Sequence, residues 1–390
     1  MNFTKFPKFS GSKDLTSLGV ANIASSAISS IFWFYLASIM ETSQYGEIGY
    51  LISLSVIASV ISLMGSSYTI TVYSAKNQNI FPAVSIISIS SSIVVALILV
   101  VLFDNFTTSV YAIGYVIFNI VMAEMLGRKQ YGNYSKSLII QKILVVTITI
   151  PLYYLIGSSG VILGFGISFL FFSFQIYKGF KRSKPDFTNL RNHFGFMING
   201  YITDLAHVAS GNLDKLIIAP FLGYILLGNY FLGLQFLAVL SILPSVVTQY
   251  TLPQDASGSP KEKLKRYTLF ITIGMALLGI FLSPYVIPVV FPQYAEAVPI
   301  IQILSLAIVP RTISQLFLSK FLGLEKSKYV VIGSGIFLSV QIPGIYVLGS
   351  IYGINGVAVS LVLAETIQAV FMLLINRIKN NELGTVTQKF

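Results

Sequence analysis

The chain has no cysteine, only two histidines and a single tryptophan among its 390 residues. Without cysteine there is neither a disulfide nor a thiolate metal site, and two histidines argue against a metal centre of any kind. Charge is scarce too, at 10% of residues, where soluble domains carry about a quarter. There is no Gly-rich phosphate loop, so ATP hydrolysis by this chain is not expected. A Gly-x-Ser-x-Gly elbow and a His-Glu-x-x-His pair are missing as well. The first residues, Met1–Asp14, are basic and polar, show no small-residue cleavage site, and lead into a long apolar segment. No removable signal peptide is expected.

What the chain does have is apolar residues, 55% of the total, with a mean hydropathy of +0.79. They come in repeated runs of about 20 residues, the length that crosses a bilayer as a helix. The expectation is an all-α integral membrane protein with twelve transmembrane helices. The first six are Leu15–Met40, Ile48–Ser74, Ile80–Phe103, Thr107–Gly127, Ser137–Ile156 and Gly160–Lys178. The second six are Phe194–Leu222, Leu226–Tyr250, Tyr267–Phe291, Ala295–Leu322, Tyr329–Gly349 and Ile354–Asn376.

Charge tests this topology independently. With the N-terminus inside, all basic residues but Lys142, Lys215 and Arg311 fall in cytoplasmic segments. The outer loops hold only Glu41, Glu47, Asp104 and Glu296. The positive-inside rule is met at every loop, so both termini are expected in the cytoplasm and the protein in the cell membrane. The net charge of +11 is mostly this asymmetry, with anionic membrane lipid as its counter-charge. No basic patch is interleaved with aromatics, so nucleic acid is not an expected partner.

A basic cytoplasmic linker at 181–193 divides the spans into six (1–180) and six (194–390). The halves read as parallel repeats: Gln44-Tyr45-Gly46-Glu47 matches Leu226-Leu227-Gly228-Asn229, and Gly160-Val161 matches Gly356-Val357. Parallel repeats are common in transporters, with the substrate site between them. A second cytoplasmic loop, Leu252–Arg266, contains Pro253, Gly258 and Pro260. Pro244, Pro284, Pro288, Pro299, Pro310 and Pro343 concentrate the in-span prolines in the second half, which suggests kinked helices.

The seventh span breaks the apolar pattern. At about 100° per residue, Gly200, Asp204, His207, Gly211, Asp214 and Lys215 lie within about a third of its circumference. An ionisable group facing lipid costs several kcal/mol, so this stripe should face a partner helix or a wet cavity. Arg311 and Glu365 lie at similar depth in the tenth and twelfth spans. A guanidinium suits a phosphate, so Arg311 and Lys215 are candidates to hold an anionic group. Asp204, His207, Glu365 and Asp214 are candidates for coupling to H+ or Na+. The alternative is that Asp214–Lys215, Asp204–His207 and Arg311–Glu365 are paired charges that fix helix packing. Glu124 and Lys142, near cytoplasmic helix ends, read as interfacial groups that snorkel. On the first span Asn22, Ser25, Ser26, Ser29 and Trp33 make an uncharged stripe. It is either close helix packing or, opposite the seventh span, a wall for sugar hydroxyls with Asn22, Ser25 and Ser29 as contacts.

Several short motifs add a family likeness. They are Asp214-Lys215-Leu216-Ile217-Ile218, Phe221-Leu222-Gly223, Leu227-Gly228-Asn229-Tyr230 and Thr248-Gln249-Tyr250-Thr251-Leu252-Pro253, together with Gln44-Tyr45-Gly46 and Phe291-Pro292-Gln293-Tyr294-Ala295-Glu296-Ala297. In these the chain resembles the polysaccharide (O-antigen type) lipid-linked-oligosaccharide flippases of the multidrug/oligosaccharidyl-lipid/polysaccharide exporter superfamily. The resemblance implies two six-helix lobes forming a V-shaped central cavity, with the first and seventh helices facing each other. It also implies alternating access and export of a polyprenyl-(pyro)phosphate-linked oligosaccharide, beside glycosyltransferases and a polymerase of the same pathway. The expectation is a secondary transporter with no bound cofactor, driven by an H+ or Na+ gradient. Two alternatives stand beside it: a cation-coupled multidrug antiporter, and a membrane-embedded glycan polymerase or ligase, which would generally need a large outer loop that this chain lacks.

Overall fold

A computed structural model of the chain describes residues 11–182, 184–256, 261–323 and 326–386. Lys5, Lys8, Gly258, Pro260 and Lys389 lie outside these residues. So do the side chains of Lys13, Gln249, Leu252, Pro253 and Lys379. The described residues form helices joined by short turns, with no strand among them.

In the first half, α1 (Gly11–Ile39) is followed by α2 (Thr42–Leu63) and α3 (Ser66–Ala75). These last two are a single expected span, broken where Met64 and Gly65 both take positive φ, 50° and 77°. The break lets Gly65 approach another helix so closely that a Cβ there would sit 2.1 Å from the Met197 carbonyl oxygen. Next come α4 (Phe81–Phe103), α5 (Phe106–Gly127), α6 (Tyr131–Ile156), α7 (Ser158–Leu170) and α8 (Ser173–Arg182). Asn105 caps α5 by accepting from the Thr107 and Thr108 amides, as a short polar side chain should at a helix start. The short α9 (Phe187–Asn192) lies in the basic linker.

The second half opens with α10 (Phe194–Leu222), which has the expected bounds. Then α11 (Tyr224–Leu240) and α12 (Ile242–Ala256) meet at 45°. Pro244 supplies the cause, since it has no N–H to pair with the carbonyl four residues earlier. After α13 (Glu262–Val290), a 3-10 turn at Pro292–Tyr294 leads to α14 (Ala297–Gly323). Finally α15 (Ser327–Val386) folds back at Gly353, whose φ is 58° and ψ −141°. Its two arms, 327–352 and 354–386, run antiparallel: a Cβ on Gly356 would meet the Leu348 carbonyl, and one on Gly344 would meet Ser360. The expected turn between the last two spans is therefore present.

Nine helices among the described residues are long and apolar enough to cross a membrane, or ten if the bent α11–α12 pair is one span. This is fewer than twelve for two physical reasons. The folded α15 counts once, as Lys328–Ile378. And α10, although 29 residues long, carries Asn199, Asp204, His207, Asn212, Asp214 and Lys215, which lower its hydropathy, and it is not among the nine.

The halves repeat each other. The α6–α7 turn at Gly157 (φ 66°, ψ −145°) matches the turn at Gly353. Gly160 against the Leu152 carbonyl matches Gly356 against Leu348, at the same sequence interval. In both halves the descending helix packs on the central one: α7 on α5, and α15 on α14. The halves meet where α2 crosses α11. A Cβ on Gly46 would lie 2.0 Å from the Tyr224 carbonyl oxygen, and one on Gly228 would lie 1.9 Å from that of Thr42. Only glycine permits so close a backbone crossing.

Candidate functional site

The crossing of α2 and α11 closes one end of the molecule. Around it Phe32, Leu36 and Met40 of α1, Tyr45 of α2, Phe231 of α11, Phe291 and Tyr294 form one buried apolar cluster spanning both halves. Trp33 stacks on Phe165 at 5.7 Å and meets the Phe231 ring edge-on at 5.4 Å. Hydrogen bonds tie the same end: Gln293 Nε2 donates to the Ala37 carbonyl at 2.8 Å, and Thr42 Oγ1 donates to the Gln293 carbonyl at 2.9 Å. Burial first, and then the nearby Tyr153, push the Tyr294 hydroxyl above its usual range, so it stays neutral in this plug.

Away from the closed end the interior opens into three chambers. The first, about 400 Å³, has Asn22, Ser25, Ser29 and Trp33 of α1 on one wall, and Gln235, Ala238 and Ser245 of α11–α12 opposite. Lys142 of α6 completes it. Ser25 is buried and its hydroxyl has no hydrogen-bond partner. The second, about 480 Å³, is lined by His207, Ser210 and Gly211 of α10, by Ser241 and Ser245, and by Arg311, Gln315 and Glu365. The third, about 370 Å³, holds Tyr68, Tyr115, Asn119, Tyr134, Asp204 and His207. Ala238 and Ser245 belong to both the first and second chambers, and His207 to both the second and third. The three are thus compartments of one central cleft.

The expected residues divide among these compartments. Arg311 and Glu365 meet: Arg311 Nε and Nη2 both lie 2.7 Å from Glu365 Oε1, with Arg311 about a quarter exposed and Glu365 buried. The pair therefore fixes α14 against α15 and still presents a guanidinium edge to the cleft. Asp204 and His207 form no ion pair among the described residues, so that expected pairing is not realised. One carboxylate oxygen of Asp204, Oδ2, is buried with no hydrogen-bond partner. Asn22, Ser25 and Ser29 do come together on one wall.

The upper part of the α10 stripe differs from expectation. Lys215 does not line the Arg311 chamber. Its ammonium donates to Asp214 Oδ1 at 2.9 Å and to the Gly211 carbonyl at 2.6 Å, and Tyr230 donates to Asp214 Oδ2 at 3.0 Å. Both charged residues are buried. Buried and bonded to Asp214 and Gly211 of its own helix, Lys215 serves structure in this conformation, and the bond from Tyr230 to Asp214 ties α10 to α11.

Lys142 is the residue that sequence reasoning missed. Its helix starts at Tyr131, six residues before the expected boundary at Ser137. That places Lys142 about 16 Å along the helix axis rather than near its end. It takes part in none of the ion pairs among the described residues. The signal was present: it is one of three basic residues outside the cytoplasmic segments.

No family model matches the chain, and no curated protein matches it by sequence. Solved structures do match in fold. The lipid II flippase MurJ in its inward closed conformation superposes with a TM-score of 0.75 at 15% identity, covering 92% of this chain and 87% of that one. An inward-facing multidrug resistance MATE family transporter of the MOP superfamily gives 0.68 at 14% identity, over 94% and 96%. An outward-facing conformation of such a transporter gives 0.62 at 14%, over 96% of each chain. At this identity the likeness establishes the fold: an all-helical membrane architecture shared with MOP-superfamily transporters.

Proposed function

We propose that this chain, built on that transporter fold, turns a polyprenyl-(pyro)phosphate-linked oligosaccharide from the cytoplasmic to the outer leaflet of the cell membrane. It does so by ion-coupled alternating access, in the service of cell-surface glycan synthesis. In this reading it has twelve spans in two six-helix lobes, with both termini cytoplasmic. Glycosyltransferases and a polymerase of the same pathway would act before and after it.

The observation that carries the proposal is the chemistry of the cleft. Two cations from different halves, Lys142 and Arg311, face compartments that share the Ala238 and Ser245 wall. Between them lie hydroxyls and amides of Asn22, Ser25, Ser29, Gln235, Ser241 and Gln315. Cations suit a phosphate or diphosphate, and clustered hydroxyl and amide groups suit sugars. Asp204, His207 and Glu365 would carry the coupling ion, being the carboxylates and imidazole at the cleft. Asp214 and Lys215 would keep α10 on α11.

The test is glycan export in a host that lacks its own flippase, with protein level monitored. Arg311→Ala and Lys142→Ala should each lower export by about tenfold or more, as loss of a charged hydrogen-bond partner does. Arg311→Lys should keep part of the activity, and Asp204→Asn should uncouple export from the gradient. Full export by both alanine variants at normal protein level would remove the phosphate role, and insensitivity to uncouplers would remove the coupling. A second reading has one observation in its favour. The third chamber, with its Asp204 carboxylate amid Tyr68, Tyr115 and Tyr134, suits a small aromatic cation. Drug resistance conferred by the chain and lost in Asp204→Asn would favour a multidrug antiporter.

A further inference from the structure

Outside the cleft, the first half holds another pocket of about 340 Å³, at the end where basic residues gather. It lies between the end of α5, the start of α6 and α8, and none of its lining residues lines the central chambers. Four cations face it: Arg128, Lys136, Lys178 and Arg182. The one acid, Glu124, is already engaged, accepting from Ser74 Oγ at 2.5 Å and from Arg128. That leaves Lys136, Lys178 and Arg182, none of which has an ion-pair partner among the described residues. Lys178 lies over the Phe174 ring, 5.0 Å from its centroid, and the three charges, from two helices around one exposed pocket, repel each other less when an anion sits among them.

The rest of the lining tells which kind of anion. The amides of Gln130, Asn133 and Gln175 can donate to phosphate or glycerol oxygens. The floor is apolar, with Phe81, Val121 and Met125. Two further apolar lining residues, Ile140 and Phe174, are 43% and 44% exposed, so the pocket runs out onto the membrane-facing surface. A soluble anion would have no use for that surface. An acyl chain would.

From this geometry we propose that the pocket binds the head group of an anionic phospholipid from the leaflet at the basic end. The phosphate sits among Lys136, Lys178 and Arg182, and the acyl chain lies along Ile140 and Phe174. The inference is independent of what the cleft transports.

The test uses the purified full chain in detergent, with lipid retention read by native mass spectrometry. Phosphatidylglycerol is compared with phosphatidylcholine, and inorganic phosphate is added as competitor. Phosphatidylglycerol should be retained at least about tenfold better, on the scale of one surface cation's attraction multiplied over three. The triple change Lys136→Gln, Lys178→Gln and Arg182→Gln should erase that preference. The same charge removed from exposed positions elsewhere, Lys261→Gln, Lys263→Gln and Arg266→Gln, should leave it intact. Lys136→Arg with Lys178→Arg should also keep it, which separates charge from a folding defect. Equal loss in both triple variants would overturn the pocket. So would displacement of the lipid by inorganic phosphate at equal concentration, which would make this a site for free anions.

Discussion

Lys142 and Lys215 are both lysines deep in helices, and their surroundings differ: Lys142 faces the cleft, while Lys215 is buried against Asp214. Adjacent helix residues do not normally face each other, yet Lys215 bends back to Asp214 because the glycine at 211 leaves its carbonyl and the space above it open. With Tyr230 on the other oxygen, the acid's charge is fully used. Asp214→Asn removes that compensation and leaves a buried ammonium alone, a change that typically costs about 3–5 kcal/mol. The expected result is a sharply lower melting temperature in detergent. Asp214→Leu with Lys215→Met should recover most of it, because no charge is left stranded. If Asp214→Asn melts like the parent, the pair is not structural. The sequence read Lys142 as an interfacial group and offered Asp214 as one possible partner of Lys215, but it could not decide between that pairing and a role in the cleft. The two outcomes depended, in turn, on where α6 starts and on a tyrosine sixteen residues away from Asp214.

Among the elements, α2 and α11 make the closest crossing between the halves, and the resemblance of Gln44-Tyr45-Gly46-Glu47 to Leu226-Leu227-Gly228-Asn229 was the sequence trace of it. Each glycine lies against the other helix's first turn, so the match has a physical cause: a symmetric crossing needs a missing side chain on both sides. Gly228→Val puts new atoms within 2 Å of the Thr42 carbonyl oxygen, which backbone cannot yield without separating the helices. The cost should be at least about 1–3 kcal/mol. The single tryptophan provides the readout, since Trp33 is wedged between Phe165 and Phe231. Its emission should shift to the red and its quenching by acrylamide should rise in Gly228→Val and in Gly46→Val. An unchanged spectrum would mean that the crossing does not hold the plug together. The turns at Gly157 and Gly353 were legible because glycine there interrupts apolar runs. The break at Met64–Gly65 was not, because the reason for it, the Met197 carbonyl, lies on α10.

For the whole molecule, the contacts between halves are unequal on the two sides of the cleft. On one side α2 and α3 pack along α10, from Gly65 against Met197 to Tyr68 against Gly200. On the other side α1 meets α11 and α12 less extensively, and the serine-walled chamber that Lys142 completes lies between them. If the protein works by alternating access, α10 must leave α3 during the cycle. A disulfide can test this, because a Cβ on Gly200 would lie 3.3 Å from that of Tyr68, near the usual disulfide separation of about 3.8 Å. The chain has no cysteine of its own, so Tyr68→Cys with Gly200→Cys gives one unambiguous cross-link. It should form in the resting protein under mild oxidant, stop export while it lasts, and release it on reduction. Export at the full rate by the cross-linked protein would mean that these helices stay together throughout. The opening would then have to come from the α1–α12 side alone.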